Sequence, residues 1–181
     1  NIARKIVDLG KIEDGERVLE IGPGRGILTE LLVDKAPLIA VEKDKWLAVV
    51  LQQKFKERAK IIEEDILRFA LPEIDVIIAN LPYSISSPIL FHLFNFSWKR
   101  AVLMFQEEFA NRLVAKSGTK TYGRLSVIAN HFVDTKKLFK VSKTAFQPQP
   151  KIHSQVVRLV RREPDYDLHD FITFEEVVRS I

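Results

Sequence analysis

The chain has 181 residues, 46% of them hydrophobic, with 28 Lys and Arg against 24 Asp and Glu. That is apolar material for one core of ordinary size and not for two. Cys is absent, which excludes disulfides, thiolate metal sites and a Cys nucleophile.

No apolar run reaches the ~20 residues that span a bilayer, and no basic-then-apolar leader opens the chain. His92, His131, His153 and His169 show no short metal-ligand spacing. A cytoplasmic protein without a metal or a membrane is the expectation, with a monomer as the default. Charge is unevenly spread. Residues 99–162 hold 14 basic and 3 acidic side chains, a net +11, and the remainder holds 14 and 21, a net −7. A concentrated basic surface suits a polyphosphate partner, because each neutralised phosphate releases counterions. A solvated Lys-rich surface of a heat-adapted protein has the same composition, so charge alone leaves both readings open.

In chain order, residues 18–22 (VLEIG) read as a short buried strand ending in glycines, and a helix begins at 27–32. Strand 38–42 precedes a helix over 46–55, and strand 60–63 follows. Residues 75–79 (DVIIA) make a fourth strand, apolar enough to be covered on both faces. A helix over 87–94 carries Pro88 near its start, where a missing N–H costs little. Strand 101–105 and a helix over 107–115 come next. This alternation predicts βαβ units and a mainly parallel α/β sheet. The pattern then changes. Strands at 133–142 and 154–162 flank a Pro-punctuated loop, FQPQPK over 146–151. They predict an antiparallel pair closing the sheet edge. A last helix begins at 171–181.

The glycine turn after the first strand lets the backbone approach a ligand closely. A dinucleotide fingerprint G-x-G-x-x-G would need Gly at Ile27, whereas the glycines fall at Gly22, Gly24 and Gly26. Glu42, at the end of the second strand, is placed to accept from both ribose hydroxyls of an adenosine. Asp65, at the end of the third, is placed to accept from the adenine amino group. All three features belong to the carboxyl edge of one sheet, where such folds bind ligands. An adenosine-containing cofactor fits them.

The tetrapeptide Asn80-Leu81-Pro82-Tyr83 closes the fourth strand. The amino nitrogen of adenine is a poor nucleophile because its lone pair is delocalised into the ring. An Asn side-chain oxygen and a nearby backbone carbonyl can accept its two hydrogens. That favours a pyramidal nitrogen and fixes a line of attack on a methyl group held by sulfur. Pro82 stiffens the turn presenting the carbonyl, and Tyr83 can stack on the purine. A plain post-strand turn uses the same residue types.

Beyond these single features, the sequence resembles the small-subunit ribosomal RNA adenine N6,N6-dimethyltransferases, most closely the archaeal type. The segments that carry the resemblance are EIGPGRGILT (20–29), NLPY (80–83) with SSPI (86–89), YGRLS (122–126) and FQPQPK (146–151), in the family's order. The resemblance implies a Rossmann-like, class I S-adenosylmethionine-dependent fold of seven strands over residues 1–165. It also implies a C-terminal helical domain, of which 166–181 would be the start. The implied activity is dimethylation of two adjacent adenosines in a hairpin loop near the 3′ end of small-subunit rRNA, in the pre-ribosomal small subunit. Gly22, Gly24, Glu42, Lys43, Asp65, Ile66 and Asn80 would hold or line the pocket of S-adenosylmethionine. Asn80, Leu81, Pro82 and Tyr83 would hold the target adenine. Phe146 either stacks on its other face, which suits an extruded base, or packs as a core residue under the loop. Lys116, Lys120, Arg124 and Lys151 are expected on RNA phosphates, with surface salt bridges as the plain alternative.

The chain departs from the family in three places. It opens at Asn1 without the family's Gln-x-Phe-Leu segment, it ends at Ile181 before the helical domain, and Glu64 stands where Gly often precedes the Asp. Two rival readings remain: a large-subunit rRNA adenine methyltransferase and a non-catalytic small-subunit assembly factor. Leu81, where DNA and protein-glutamine methyltransferases more often carry a second Pro, points away from those.

Overall fold

A computed structural model describes residues 2–147 and 149–163, together with Thr173, Glu176 and Val178. Seven strands form one sheet among them: β1 (Val18–Ile21), β2 (Leu38–Glu42), β3 (Lys60–Glu63), β4 (Val76–Asn80), β5 (Arg100–Gln106), β6 (Val133–Val141) and β7 (Ser154–Arg161). Their spatial order is β3-β2-β1-β4-β5-β7-β6. The first five are parallel, and β7 runs antiparallel between β5 and β6. The expected late antiparallel pair is therefore present, and β6 is the outermost strand on that side among the described residues.

The uniform apolarity of β4 has the expected cause. Val76, Ile77, Ile78 and Ala79 are all fully buried because helices cover both faces. On one face Leu19, Ile77 and Leu103 pack against α4 (Ser86–Phe94), α5 (Glu107–Leu113) and α6 (Arg124–Phe132). On the other, Val18, Ile78 and Val102 pack against α1 (Ile2–Leu9), α2 (Thr29–Leu32) and α3 (Lys45–Phe55). Helix α3 begins where the Asp44 carboxylate accepts from the Leu47 N–H at 2.9 Å, a side-chain N-cap. It buries Ala48, Leu51 and Phe55 at helical spacing, each of the two large side chains being worth about 2 kcal/mol.

Helices α1 and α6 are additions to the expected set, while α2 is a shorter helix than its apolar run suggests. Helix α1 buries Ala3, Ile6 and Val7, an i, i+3, i+4 stripe on the sheet. Helix α6 starts after Gly123, and the Ser126 hydroxyl within it donates to the Arg112 carbonyl at 2.6 Å. The helix expected over 171–181 lies outside the described residues apart from Thr173, Glu176 and Val178, which are helical. Among the described residues no helix is long and apolar enough to cross a membrane.

The amino edge of the sheet is fastened by charge. The Arg100 guanidinium donates to both oxygens of the buried Glu16 carboxylate, to the Gly10 carbonyl at 2.7 Å, and to the Lys11 carbonyl. The Arg100 bonds to the carboxylate, with those from the Glu13 N–H and Lys99 adding to them against burial, hold the Glu16 carboxyl down at about 2. The opposite, carboxyl edge is left for the site.

Candidate active site

Strand alternation decides which residues share the site. Side chains two apart point to the same face, so Glu20 follows Val18, Glu42 follows Ala40, and Asn80 follows Ile78. All belong to the face covered by α1, α2 and α3. Parallel register brings their strand ends level: Ile21 pairs with Val41 and Ala79, and Asn80 pairs with Met104. A cavity of about 500 Å³ opens there, lined by Glu20, Gly22, Gly24, Asn80, Met104 and Phe146 among others, with Ile2, Ala3 and Ile6 of α1 on its wall. A pocket of about 260 Å³ adjoins it and is lined by Asn80, Leu81, Pro82, Tyr83, Phe146 and Pro150. Asn80 and Phe146 line both. The residues of the smaller pocket alone lie up to 70 positions apart in the chain, and the fold brings them to one place. Phe146 is half-buried, lines both cavities and also packs on the α1 side of the core.

The glycine turn is shaped by backbone demands. Gly24 has φ +57° and its N–H donates to a Glu42 carboxylate oxygen at 3.0 Å. The other oxygen accepts from Asp44 N–H at 2.9 Å. A Cβ on Gly22 or Gly24 would meet no atom within 4 Å, so the space above the turn is open to a ligand. Gly26 differs. With φ +78°, its Cβ would lie 2.8 Å from Leu51 and 3.0 Å from Phe55, so it is required for close packing on α3.

Glu42 thus reaches the cavity through Gly24. Asp65 does not line it. It sits at the end of β3 in a shallow depression with Lys43, Glu63, Glu64 and Arg68. Its carboxylate accepts from Lys43 Nζ at 2.7 Å and from Leu67 N–H at 3.1 Å, and these bonds, with Lys43 first, lower its pKa. The Glu64 N–H donates to the Glu42 carbonyl at 3.0 Å, which ties this depression to the end of β2. Ile66 is buried in the core on the opposite face.

Glu20 is the functional candidate that the sequence reading passed over. It is 1% exposed. One oxygen accepts from the Thr29 hydroxyl at 2.7 Å, and the other has no hydrogen-bond partner among the described residues. Burial pushes its carboxyl up to about 7, against the Thr29 bonds that lower it and with Glu42 adding to the rise. The available signal was an acid inside an otherwise apolar strand, which either pays in stability or serves a ligand.

Lys116 and Lys120 are exposed in the loop after α5. Arg124 is half-buried at the start of α6, its guanidinium 5.5 Å from the Phe91 ring centre. Lys151 is exposed beside Pro150 of the smaller pocket.

A family model described as ribosomal RNA adenine dimethylase matches residues 1–181. The chain belongs to the ribosomal RNA adenine dimethylase family. Among curated relatives it is 41% identical, over 97% of its length, to the probable ribosomal RNA small subunit methyltransferase A of Methanococcoides burtonii, and spans 66% of that protein. It is 42% identical over 98% of its length to the same-named protein of Methanosarcina acetivorans, of which it spans 67%. The chain therefore spans about two thirds of the length of such dimethylase-family relatives. The crystal structure of a dimethyladenosine transferase from Plasmodium falciparum superposes with a TM-score of 0.90 at 34% identity, covering 98% of this chain and 67% of that one. The 23S rRNA methyltransferase ErmE superposes with a TM-score of 0.82 at 28% identity, over 98% and 75%. These matches agree with the Rossmann-like methyltransferase fold expected of the family.

Proposed function

We propose that the protein is an S-adenosylmethionine-dependent rRNA methyltransferase that dimethylates N6 of two adjacent adenosines in the 3′-terminal hairpin loop of small-subunit rRNA, within the pre-ribosomal small subunit. The observation that carries this reading is the pair of adjoining pockets sharing Asn80, one beside the glycine turn and one beside Pro82 and Tyr83. Two reactants held on either side of one side chain are already positioned for transfer.

The residues present fit the cofactor. Open space above Gly22 and Gly24, the Glu42 carboxylate behind them and a cavity of about 500 Å³ suit an adenosine joined to an amino acid. S-adenosylmethionine, when bound, supplies an electrophilic methyl group on sulfur. Glu42 would take the ribose hydroxyls, and the adenine would extend past the cavity to the depression at the end of β3, bordered by Lys43, Asp65 and the main chain of Ile66, whose side chain is buried in the core; Glu20 offers an acceptor inside the cavity. On the substrate side, the Asn80 side-chain oxygen and the Leu81 carbonyl would hold the two N6 hydrogens and aim the lone pair toward the larger cavity. Leu81 is 2% exposed and its N–H donates to the Met104 carbonyl at 3.3 Å, which steadies that carbonyl. Tyr83 and Phe146 would sandwich the extruded base, recovering about 1–3 kcal/mol of stacking. Lys116, Lys120, Arg124 and Lys151 would meet RNA phosphates, and residues beyond 165 would begin a helical domain.

The test supplies undermethylated small subunits and S-adenosylmethionine carrying a labelled methyl group. Label recovered as N6,N6-dimethyladenosine from small-subunit rRNA supports the reading. Label in large-subunit rRNA alone would favour the activity named for ErmE, and tight subunit binding without label would favour an assembly factor.

A further inference from the structure

The two walls of the smaller pocket come from distant parts of the chain, and one hydroxyl joins them. The Tyr83 phenol and the Ser154 hydroxyl lie 2.5 Å apart. We propose that Ser154 is a positioning residue that sets the tilt of the Tyr83 ring and, through it, the placement of the target adenine. This rests on the function proposed above.

The other hydrogen bonds that hold the turn carrying Tyr83 fall on its main chain. Ile85 N–H donates to the Pro82 carbonyl at 3.3 Å, and the Ser86 hydroxyl reaches the Pro82 and Tyr83 carbonyls at 3.3 Å each. None of these restrains the ring, which is half-buried at the pocket rim. Ser154 is suited to do so. It is fully buried, opens β7, and is paired with Gln106 of β5 on one side and Val141 of β6 on the other. Its short side chain has a single torsion to the hydroxyl oxygen, so the anchor itself moves little. The residues just before it form the loop that carries Phe146 and Pro150, the opposite wall. Ser154 therefore sets the Tyr83 face relative to the Phe146 face, the slot a stacked purine must enter. Losing either hydroxyl would leave its partner unpaired and the ring free to tilt.

The experiment is a double-mutant cycle in the full-length protein with Ser154→Ala and Tyr83→Phe, reading kcat on undermethylated small subunits and Kd for S-adenosylmethionine. Each single variant should lower kcat roughly tenfold and leave the cofactor Kd within about twofold. The double variant should be no slower than the slower single, because both remove one bond. A merely structural Ser154 would weaken cofactor binding alongside turnover, and its loss would multiply with that of the phenol. Either of those results, or a Tyr83→Phe variant with wild-type kcat, overturns the proposal. Tyr83→Phe decides alone if Ser154→Ala fails to fold. A wild-type protein that transfers nothing would instead sink the function itself.

Discussion

Replacing Glu20 by Gln should change how stability depends on pH, with a sign the structure dictates. The folded protein holds this carboxyl at about 7, against an ordinary 4.5. Between those values the native state keeps a proton that the unfolded chain releases, so stability falls as pH rises through that window. A carboxyl displaced this far costs the folded state about 3 kcal/mol once pH exceeds both values. The cause is burial: the residue is 1% exposed and one oxygen finds no partner among the described residues. Gln keeps an acceptor for the Thr29 hydroxyl, now 2.7 Å away, and cannot ionise. Urea unfolding of both proteins at pH 4, 5, 6, 7 and 8 isolates the effect, because every other carboxylate is common to the two. The wild type should lose about 3 kcal/mol relative to Glu20→Gln across the series. Parallel stability curves would refute the reasoning.

Glu16 should behave in the opposite sense. Arg100 holds its carboxyl at about 2, so its contribution is present above pH 4.5 and is lost as pH falls toward 2. Glu16→Gln should cost on the order of 2 kcal/mol at neutral pH and flatten the acid limb of a thermal-unfolding pH series. The charge pair Lys116→Glu, Lys120→Glu should weaken binding to small-subunit rRNA and reduce the slope of log K against log salt by about 2. An unchanged slope in filter binding would remove these exposed lysines from the RNA path.

Most of the sheet was legible in the sequence because buried parallel strands leave apolar runs, and 18–22, 38–42, 60–63, 75–79 and 101–105 each coincide with a strand to within about two residues. The antiparallel ending was legible from two long strand runs about a Pro loop. Helix α1 was not assigned, though Ala3, Ile6 and Val7 carry its spacing, because its short apolar stripe precedes any glycine or strand signal that would frame it. The tetrapeptide and glycine turn were legible because their backbone chemistry is local. The meeting of Phe146 with Asn80 was not, since it depends on β7 threading between β5 and β6. Nor was the bond between Tyr83 and Ser154, which joins residues 71 apart. Asp65 shows the limit of reading strand ends alone: its place at the end of β3 is as expected, yet its carboxylate is turned to Lys43 outside the main cavity.

Asn80 lies between the two pockets, and its substitution bears most directly on the account. Methyl transfer to undermethylated small subunits should fall at least ~100-fold in Asn80→Ala, while the variant still binds the subunit and unfolds at the wild-type temperature. An Asn80→Ala protein that methylates adenine at the wild-type rate would contradict it.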